Sequence, residues 1–327
     1  MAATIVAMAV LAGCGGGGDS KQSDAPAATT TTTTETRTAG WDGKFRALTY
    51  NVAGLPEALS GSSPENNTKL IGPKLNEFDL VLLQETWKTP EPNPLAPTRV
   101  YFEILESQST HKYVSPMPRQ PLGTDPKRPS ALLADGLAFF SDIPMGDVTR
   151  TAWTGCFGGA DTSDHGAGDC LAMKGFAVTT ITLAEGAQVD VYNLHGEAGS
   201  SPEDQKLQAE DYAQLAAYIA SHSEGKAIIL GGDTNLHIEP GPKNPQDVAD
   251  AKIWSQFLSS TGLTDACAQP GCDDTARIDK FAYRSGKGVD LGVVTYSVED
   301  KRFTDAKGEQ LSDHEALSVT FGWRRTG

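Results

Sequence analysis

The 327-residue chain lacks any apolar run long enough to cross a bilayer as a helix, which takes about 20 residues. It has no Cys-x-x-Cys pair, which argues against a structural zinc site. No internal repeat is evident, so a repeat array is not expected. Basic residues are scarce: 27 Lys and Arg stand against 42 Asp and Glu, for a net charge of −15. That balance disfavours non-specific adhesion to nucleic acid, which needs a cationic face, although a local patch can differ from the total. It suits a metal-cation cofactor. The segment before Trp41 carries one net negative charge, so nearly all of the excess lies beyond it.

The N-terminus is apolar but short. MAATIVAMAVLAGC is placed like a signal-peptide core ending at Cys14. LAGC followed by Gly resembles the lipobox of bacterial lipoproteins, in which the cysteine becomes lipidated. Residues 1–13 are then the signal, although no Lys or Arg precedes Leu11 as signal peptides usually require. Residues 14–40 are rich in Gly, Ser and Thr, with six threonines from Thr29 to Thr34. Such a segment cannot bury enough apolar surface to fold and reads as a tether. The folded domain is expected over 41–327, exported as a cell-envelope lipoprotein or secreted, from a bacterium, and monomeric.

Cysteine usage agrees with export. Of five cysteines, four remain once Cys14 is set aside. The spacing of Cys156, Cys170, Cys267 and Cys272 suggests two local bridges, 156–170 and 267–272, among three connectivities. Closing the longer loop contributes roughly 3 kcal/mol in the chain-entropy model.

After the tether, short apolar runs recur at 45–52, 79–85, 135–141, 174–183, 188–195, 226–235, 289–296 and 315–322. Many are β-branched and alternate, and turn residues bound most of them, so they read as strands of a large mixed sheet system. Helices fall between. The clearest spans 201–223, with Ser201 as N-cap, Pro202 at the first helical position and Asp204 completing a capping box. Others are expected over 248–259 and, less regularly because of Pro73, over 67–78. Three long stretches, 86–100, 106–134 and 153–173, read as loops around a cleft.

Polar groups recur where apolar strands end. Asn51 ends FRALTYN, Glu85 ends DLVLLQE, His195 ends VDVYNLH, and Asp233 and Asn235 follow AIILGG. Asp313 and His314 stand at the mouth of the last strand. Each taken alone is ordinary turn or surface chemistry; together they suggest one site at strand ends, where open α/β sheets bind ligands. Glu85, Asn51, Asp233, Asn235 and Asp313 offer hard oxygens suited to Mg²⁺, with Mn²⁺ or Ca²⁺ as alternatives. His195 and His314 can move protons or bind phosphoryl oxygens near neutral pH. Metal, imidazole and carboxylate together are what water needs to attack a phosphodiester.

The ordered motifs LTYNVAGLP, LLQETW, DGLAFFS, VYNLHGEAG, LGGDTN, RIDKFAY and LSDH resemble those of the endonuclease/exonuclease/phosphatase superfamily, over about 45–322. The resemblance implies a four-layered α/β sandwich, two mixed β-sheets packed face to face with helices outside. It implies Glu85 as principal Mg²⁺ ligand, with Asn51 beside it and Asp313 completing the metal end. It makes His195 a phosphate binder, and Asp233 and Asn235 the residues that orient or activate water. Asp279 would hold the ring of His314, itself a base or phosphate binder. Which of Asp233 and His314 takes the water proton stays open.

Substrate is less legible. DCLAMKGFAV resembles a segment of the bacterial neutral sphingomyelinases with a Lys-Gly pair before a strand, so Lys174 is a candidate phosphate contact. Export and negative charge favour a phospholipid headgroup cleaved in the phospholipase C sense. A secreted nuclease and a phosphatase on a soluble phosphorylated headgroup are the enzymatic alternatives. A catalytically dead binding module would have lost a motif residue, and none is lost. No apolar hairpin for bilayer insertion appears between Asp265 and Lys287. Trp153, Phe157 and Trp87 are candidates for that contact, with burial in the core as the expected role.

Overall fold

Each of the apolar runs becomes a strand. In the computed structural model, residues 40–55, 63–89, 99–117, 128–159, 168–238, 245–268, 272 and 277–326 are described. The expected signal, the lipidated Cys14 and the tether lie outside the described residues. The chain from Trp41 onward forms one compact unit.

In chain order the elements are β1 (Gly43–Asn51), α1 (Pro64–Leu75), β2 (Leu80–Gln84), β3 (Lys88–Thr89), β4 (Arg99–Val100), α2 (Tyr101–Gln108), β5 (Tyr113–Val114), β6 (Ala138–Ser141), β7 (Thr149–Ala152), β8 (Gly175–Ala184), β9 (Ala187–His195), α3 (Pro202–His222), β10 (Ala227–Asp233), α4 (Pro245–Thr261), β11 (Thr264–Asp265), β12 (Asp279–Arg284), β13 (Val289–Val298) and β14 (Leu317–Arg325). One six-stranded sheet runs β13-β14-β1-β2-β6-β5, the other β11-β12-β10-β9-β8-β7; β3 and β4 pair separately. Each large sheet is antiparallel except at its centre. There β1 pairs parallel with β2, and β9 with β10. A parallel pair needs a long crossover, and α1 and α3 supply them.

Side-chain alternation sorts the strands between layers. Phe45 and Ala47 of β1, Val189 and Val191 of β9 and Ile229 of β10 share one core between the sheets. Leu48 and Tyr50 turn the other way, onto Ile71, Leu75, Phe102 and Leu105 of α1 and α2. Tyr192, Leu194, Ile228 and Leu230 pack on Tyr212, Leu215, Ile219, Trp254 and Phe257 of α3 and α4. The result is the expected helix–sheet–sheet–helix sandwich. Strands buried on both faces read as continuous apolar runs, which is why they were visible.

The helices differ from expectation in detail. α1 starts at Pro64, earlier than the periodicity suggests, because proline suits the first helical turn. Pro73 sits inside it and cannot donate to the Lys69 carbonyl. The side chain of Gln108, from α2, donates to that carbonyl at 3.1 Å instead. α2 itself fell partly within a stretch read as loop; it is short but buries Tyr101, Phe102 and Leu105. In α3 the capping box forms as expected: the Ser201 hydroxyl accepts from the Asp204 N–H, and the Asp204 carboxylate accepts from the Ser201 N–H. Both expected disulfides, Cys156–Cys170 and Cys267–Cys272, are present. Replacing Ser201 by Ala should cost about 1 kcal/mol, read as a lower urea midpoint at unchanged slope.

Candidate active site

The strand registers set polar residues in one row. Asn51 stands opposite Gln84, one residue before Glu85. His195 pairs with Asp233, and Asp233 with Asp279, so β9, β10 and β12 contribute adjacent side chains. Glu85 takes a left-handed backbone conformation, φ 59°, which turns the chain at the strand end. Gly54 permits this turn, because a Cβ there would lie 2.0 Å from the Glu85 carbonyl oxygen.

The two sheets meet at the Asn51 amide. Its Nδ2 donates to Glu85 Oε1 and to Asp233 Oδ2, both at 3.0 Å. Its Oδ1 accepts from the Ala53 N–H at 3.0 Å. Asn51 therefore faces the carboxylates with its nitrogen and holds the two together. His195 Nε2 lies 3.4 Å from Asp233 Oδ2 and 3.9 Å from Glu85 Oε1. His314 Nε2 lies 3.7 Å from Asp233 Oδ2, while its Nδ1 bonds Asp279 Oδ2 at 2.8 Å. The Ser312 hydroxyl docks this turn by donating to the Asn51 carbonyl at 2.7 Å. Asn235, φ 51°, donates its N–H to Asp233 Oδ1 and its side-chain amide to the Gly196 carbonyl. It braces the loop of Asp233 by these bonds.

Asp313 and Lys174 sit differently from the rest. Asp313 is exposed and outside the group formed by Asp233, Asp279 and His314, whose ligand-type atoms lie within 4.8 Å of one another. Lys174 is buried and engaged by Asp169 and the Gly196 carbonyl. It acts on the site through its field. Trp153 and Trp87 are buried: Trp153 donates to the His195 carbonyl at 2.8 Å, and Trp87 stacks on the His195 ring. Phe157 is half-buried. Gln84 and Asn193, unforeseen, bond each other across the sheets at 2.7 Å directly beneath the site.

Electrostatics give each group a distinct state. Burial, and then the Lys174 cation, hold His195 well below the usual imidazole range, so its ring is neutral. The two carboxylates beside Nε2 favour the tautomer protonated there. Burial opposes charge on His314, but Asp279, and then Asp233 and Asp313, raise it to about 10. Burial also opposes charge on Asp233, yet His314, His195 and Lys174 hold it below the ordinary carboxylate range. Glu85 is pushed up to about 7 by burial, against the Asn51 amide and Lys174. Asp279 Oδ1 is buried without a hydrogen-bond partner. Asp233 and Asp279, the latter with a spare oxygen, lie close enough together with His314 to hold an ion, and a charge-starved Glu85 adjoins Asp233; hard oxygens of this kind suit Mg²⁺.

A second set of buried charges lies behind Lys174. Glu197 accepts the Phe157 N–H at 2.6 Å but leaves Oε2 unpartnered, and Asp211 Oδ2 is also unpartnered. Burial, then Asp169, pushes Glu197 up to about 8; burial, then Glu197, pushes Asp211 up to about 9. An acid raised on folding contributes stability that is fully present below its unfolded value and lost as the pH rises to the folded one. For Asp211 that window runs from 3.8 to about 9. Asp211→Asn should therefore flatten the fall of melting temperature with pH, gaining most near pH 8–9 and little near pH 4; thermal melts across that range check it.

The profile of the Endonuclease/Exonuclease/phosphatase family matches residues 48–314. The chain is 33% identical over 308 residues to sphingomyelinases of Mycobacterium bovis and Mycobacterium tuberculosis, covering 88% of this chain and 54% of theirs. It thus spans about half the length of those relatives. Sphingomyelinase C from Streptomyces griseocarneus has a similar fold, with TM-score 0.56 at 16% identity over 85% of this chain and 99% of that one. A beta toxin mutant from Staphylococcus aureus with bound magnesium ions gives the same score, identity and coverages. D. rerio TDP2 complexed with single-strand DNA product gives 0.58 at 15% identity, over 86% and 100% of the two chains. Motif order, sheet topology and the profile match over most of the chain converge: this protein belongs to the Endonuclease/Exonuclease/phosphatase family.

Proposed function

We propose that the chain is a Mg²⁺-dependent phosphodiester hydrolase that releases a phospholipid headgroup, in the manner of a sphingomyelinase or phospholipase C. The observation that carries this is the convergence of Glu85, Asp233 and both histidines around the Asn51 amide. The sphingomyelinase relatives, the acidic balance and the magnesium of the beta toxin structure support it. The two disulfides support export, and Cys14 is the proposed lipid anchor.

Glu85 and Asp233 would hold the ion, with Asn51 keeping them together and Mn²⁺ or Ca²⁺ as alternatives. When bound, it neutralises charge on the phosphoryl oxygens. The chain's own residues do the rest. Neutral His195 donates its Nε2–H to a phosphoryl oxygen without competing for protons. Asp279 fixes the ring of His314, so that Nε2 points toward Asp233. The attacking water belongs beside these two, and Asp233, ionised next to the protonated His314, is the group able to take its proton. Trp153 anchors the His195 backbone, and the stacked Trp87 excludes water from one face of its ring.

A panel of sphingomyelin, phosphatidylcholine, plasmid DNA and a simple phosphodiester tests the reading. Headgroup release should occur with Mg²⁺, stop with EDTA and return on adding Mg²⁺. His314→Ala should lower kcat by roughly a hundred- to ten-thousandfold. Plasmid nicking without lipid hydrolysis would reject the headgroup reading.

A further inference from the structure

Beyond His195 the chain has no regular structure until α3 begins at Pro202. Residues 195–198 are nonetheless held one by one from the loop that joins β7 to β8. Trp153 donates to the His195 carbonyl at 2.8 Å, and Lys174 donates to the Gly196 carbonyl at 3.3 Å. The Phe157 N–H donates to Glu197 Oε1 at 2.6 Å, and Asp169 Oδ2 accepts the Ala198 N–H at 3.1 Å. The holders alternate. Trp153 and Phe157 lie on the outgoing limb, 153–159, and Asp169 and Lys174 on the returning limb, 168–174.

Such a loop needs ties of its own, because its limbs spring from a sheet edge where β7 pairs with β8 alone. At the base, the Trp153 N–H donates to the Lys174 carbonyl at 3.0 Å. The Arg128 guanidinium also bridges the limbs there, donating to the carbonyls of Trp153, Gly155 and Ala172. Farther out, the Asp169 N–H donates to the Phe157 carbonyl at 3.2 Å, and the Cys170 N–H to the Gly158 carbonyl at 2.9 Å. Thr154 is exposed, and Gly155, Cys156, Phe157 and Cys170 are half-buried, so little apolar packing backs these outer bonds. The covalent tie at this level is Cys156–Cys170. Its two cysteines are the chain neighbours of the two outer holders, Phe157 and Asp169.

We propose that the Cys156–Cys170 bond is a positioning cross-link for the active site. It clamps Phe157 and Asp169 onto the turn after β9 and so fixes where His195 sits. The inference rests on the hydrolase reading, in which His195 meets the phosphoryl group. It goes beyond that reading by making the rate depend on the oxidation state of two thiols outside the site. Reacting groups need a supporting shell that holds them within about 0.5 Å, and an error of about 1 Å can cost roughly a hundredfold. With the bond open, Arg128 still ties the base of the loop, and Trp153 and Lys174 stay in place. Glu197 and Ala198 lose their restraint first, and His195 loses precision through them.

The Cys156→Ala/Cys170→Ala variant tests this with bis(p-nitrophenyl) phosphate and Mg²⁺, and by amide hydrogen exchange. Its kcat should fall roughly ten- to a hundredfold, with KM changed less than about threefold. In a His195→Ala background the same pair should lower the residual rate no more than about twofold, since both changes act through one ring. A bond that only supports the fold would lower both enzymes alike. Exchange at the Ala198 amide should quicken at least about tenfold while β9 and β10 keep their protection. If the double variant does not fold, dithiothreitol opens the same bond in the folded Cys267→Ala/Cys272→Ala chain, giving two thiols and its own cyclic disulfide. The same losses are expected there and are reversed on reoxidation. An unchanged kcat, an equal loss in the His195→Ala background or unchanged exchange at Ala198 each overturn the cross-link while the hydrolase stands. A wild-type chain inert on the diester removes the hydrolase reading, and the catalytic role of the bond with it.

Discussion

The side-chain amide of Asn51 spends both hydrogens on carboxylates, one on Glu85 in its own sheet and one on Asp233 in the other. Its oxygen is held by the Ala53 N–H, so turning it over would break all three bonds. One layer below, Gln84 bonds Asn193, and Asn193 donates to the carbonyls of Leu83 and Ala138. The core between the sheets is otherwise apolar and carries little directional information. These few polar bonds fix how one sheet sits on the other. Slipping β1 by a single residue would swap its faces and remove Asn51 from the interface altogether.

That registration brings together groups which burial alone would neutralise. Glu85 is short of positive charge, while Asp233 is supplied with it by His314 and Lys174. Environments that push neighbouring titratable groups apart are characteristic of functional sites. The pair Glu197 and Asp211 shows the same discomfort without an opening to solvent. Both lie where Arg128 laces the 153–155 segment to Ala172 through its guanidinium. The acid pair thus sits in the scaffold that seats Lys174, away from the chemistry.

Much of this was legible because the site residues follow strands buried on both faces. Asn51, Glu85, His195 and Asp233 each close an apolar run, so position relative to the run identified them. Asp279 was reachable through its motif alone: DKFAYR opens a strand with charged residues and was not read as one. Gln84 and Asn193 looked like interruptions inside apolar runs, and no periodicity reveals that they face each other across sheets. Lys174 stands five positions after Asp169, a spacing that says nothing about an ion pair until the turn at 169–171 folds it back. Asp313, expected at the metal end from its motif, stands exposed and outside the group of Asp233, Asp279 and His314. Trp153 and Trp87 take the buried role expected of them and serve His195 from inside.

Among the described residues, three other than glycine adopt left-handed backbone conformations: Ala53, Glu85 and Asn235. All three flank the carboxylates, and such conformations cost on the order of 1–3 kcal/mol each. The catalytic end of the sandwich is thus under tension that the core restrains. Random drift or selection for heat tolerance would find easy gains there, since glycine relieves each bend. A laboratory lineage evolved only to survive heating should therefore accumulate changes at these three turns and lose turnover while keeping its shape.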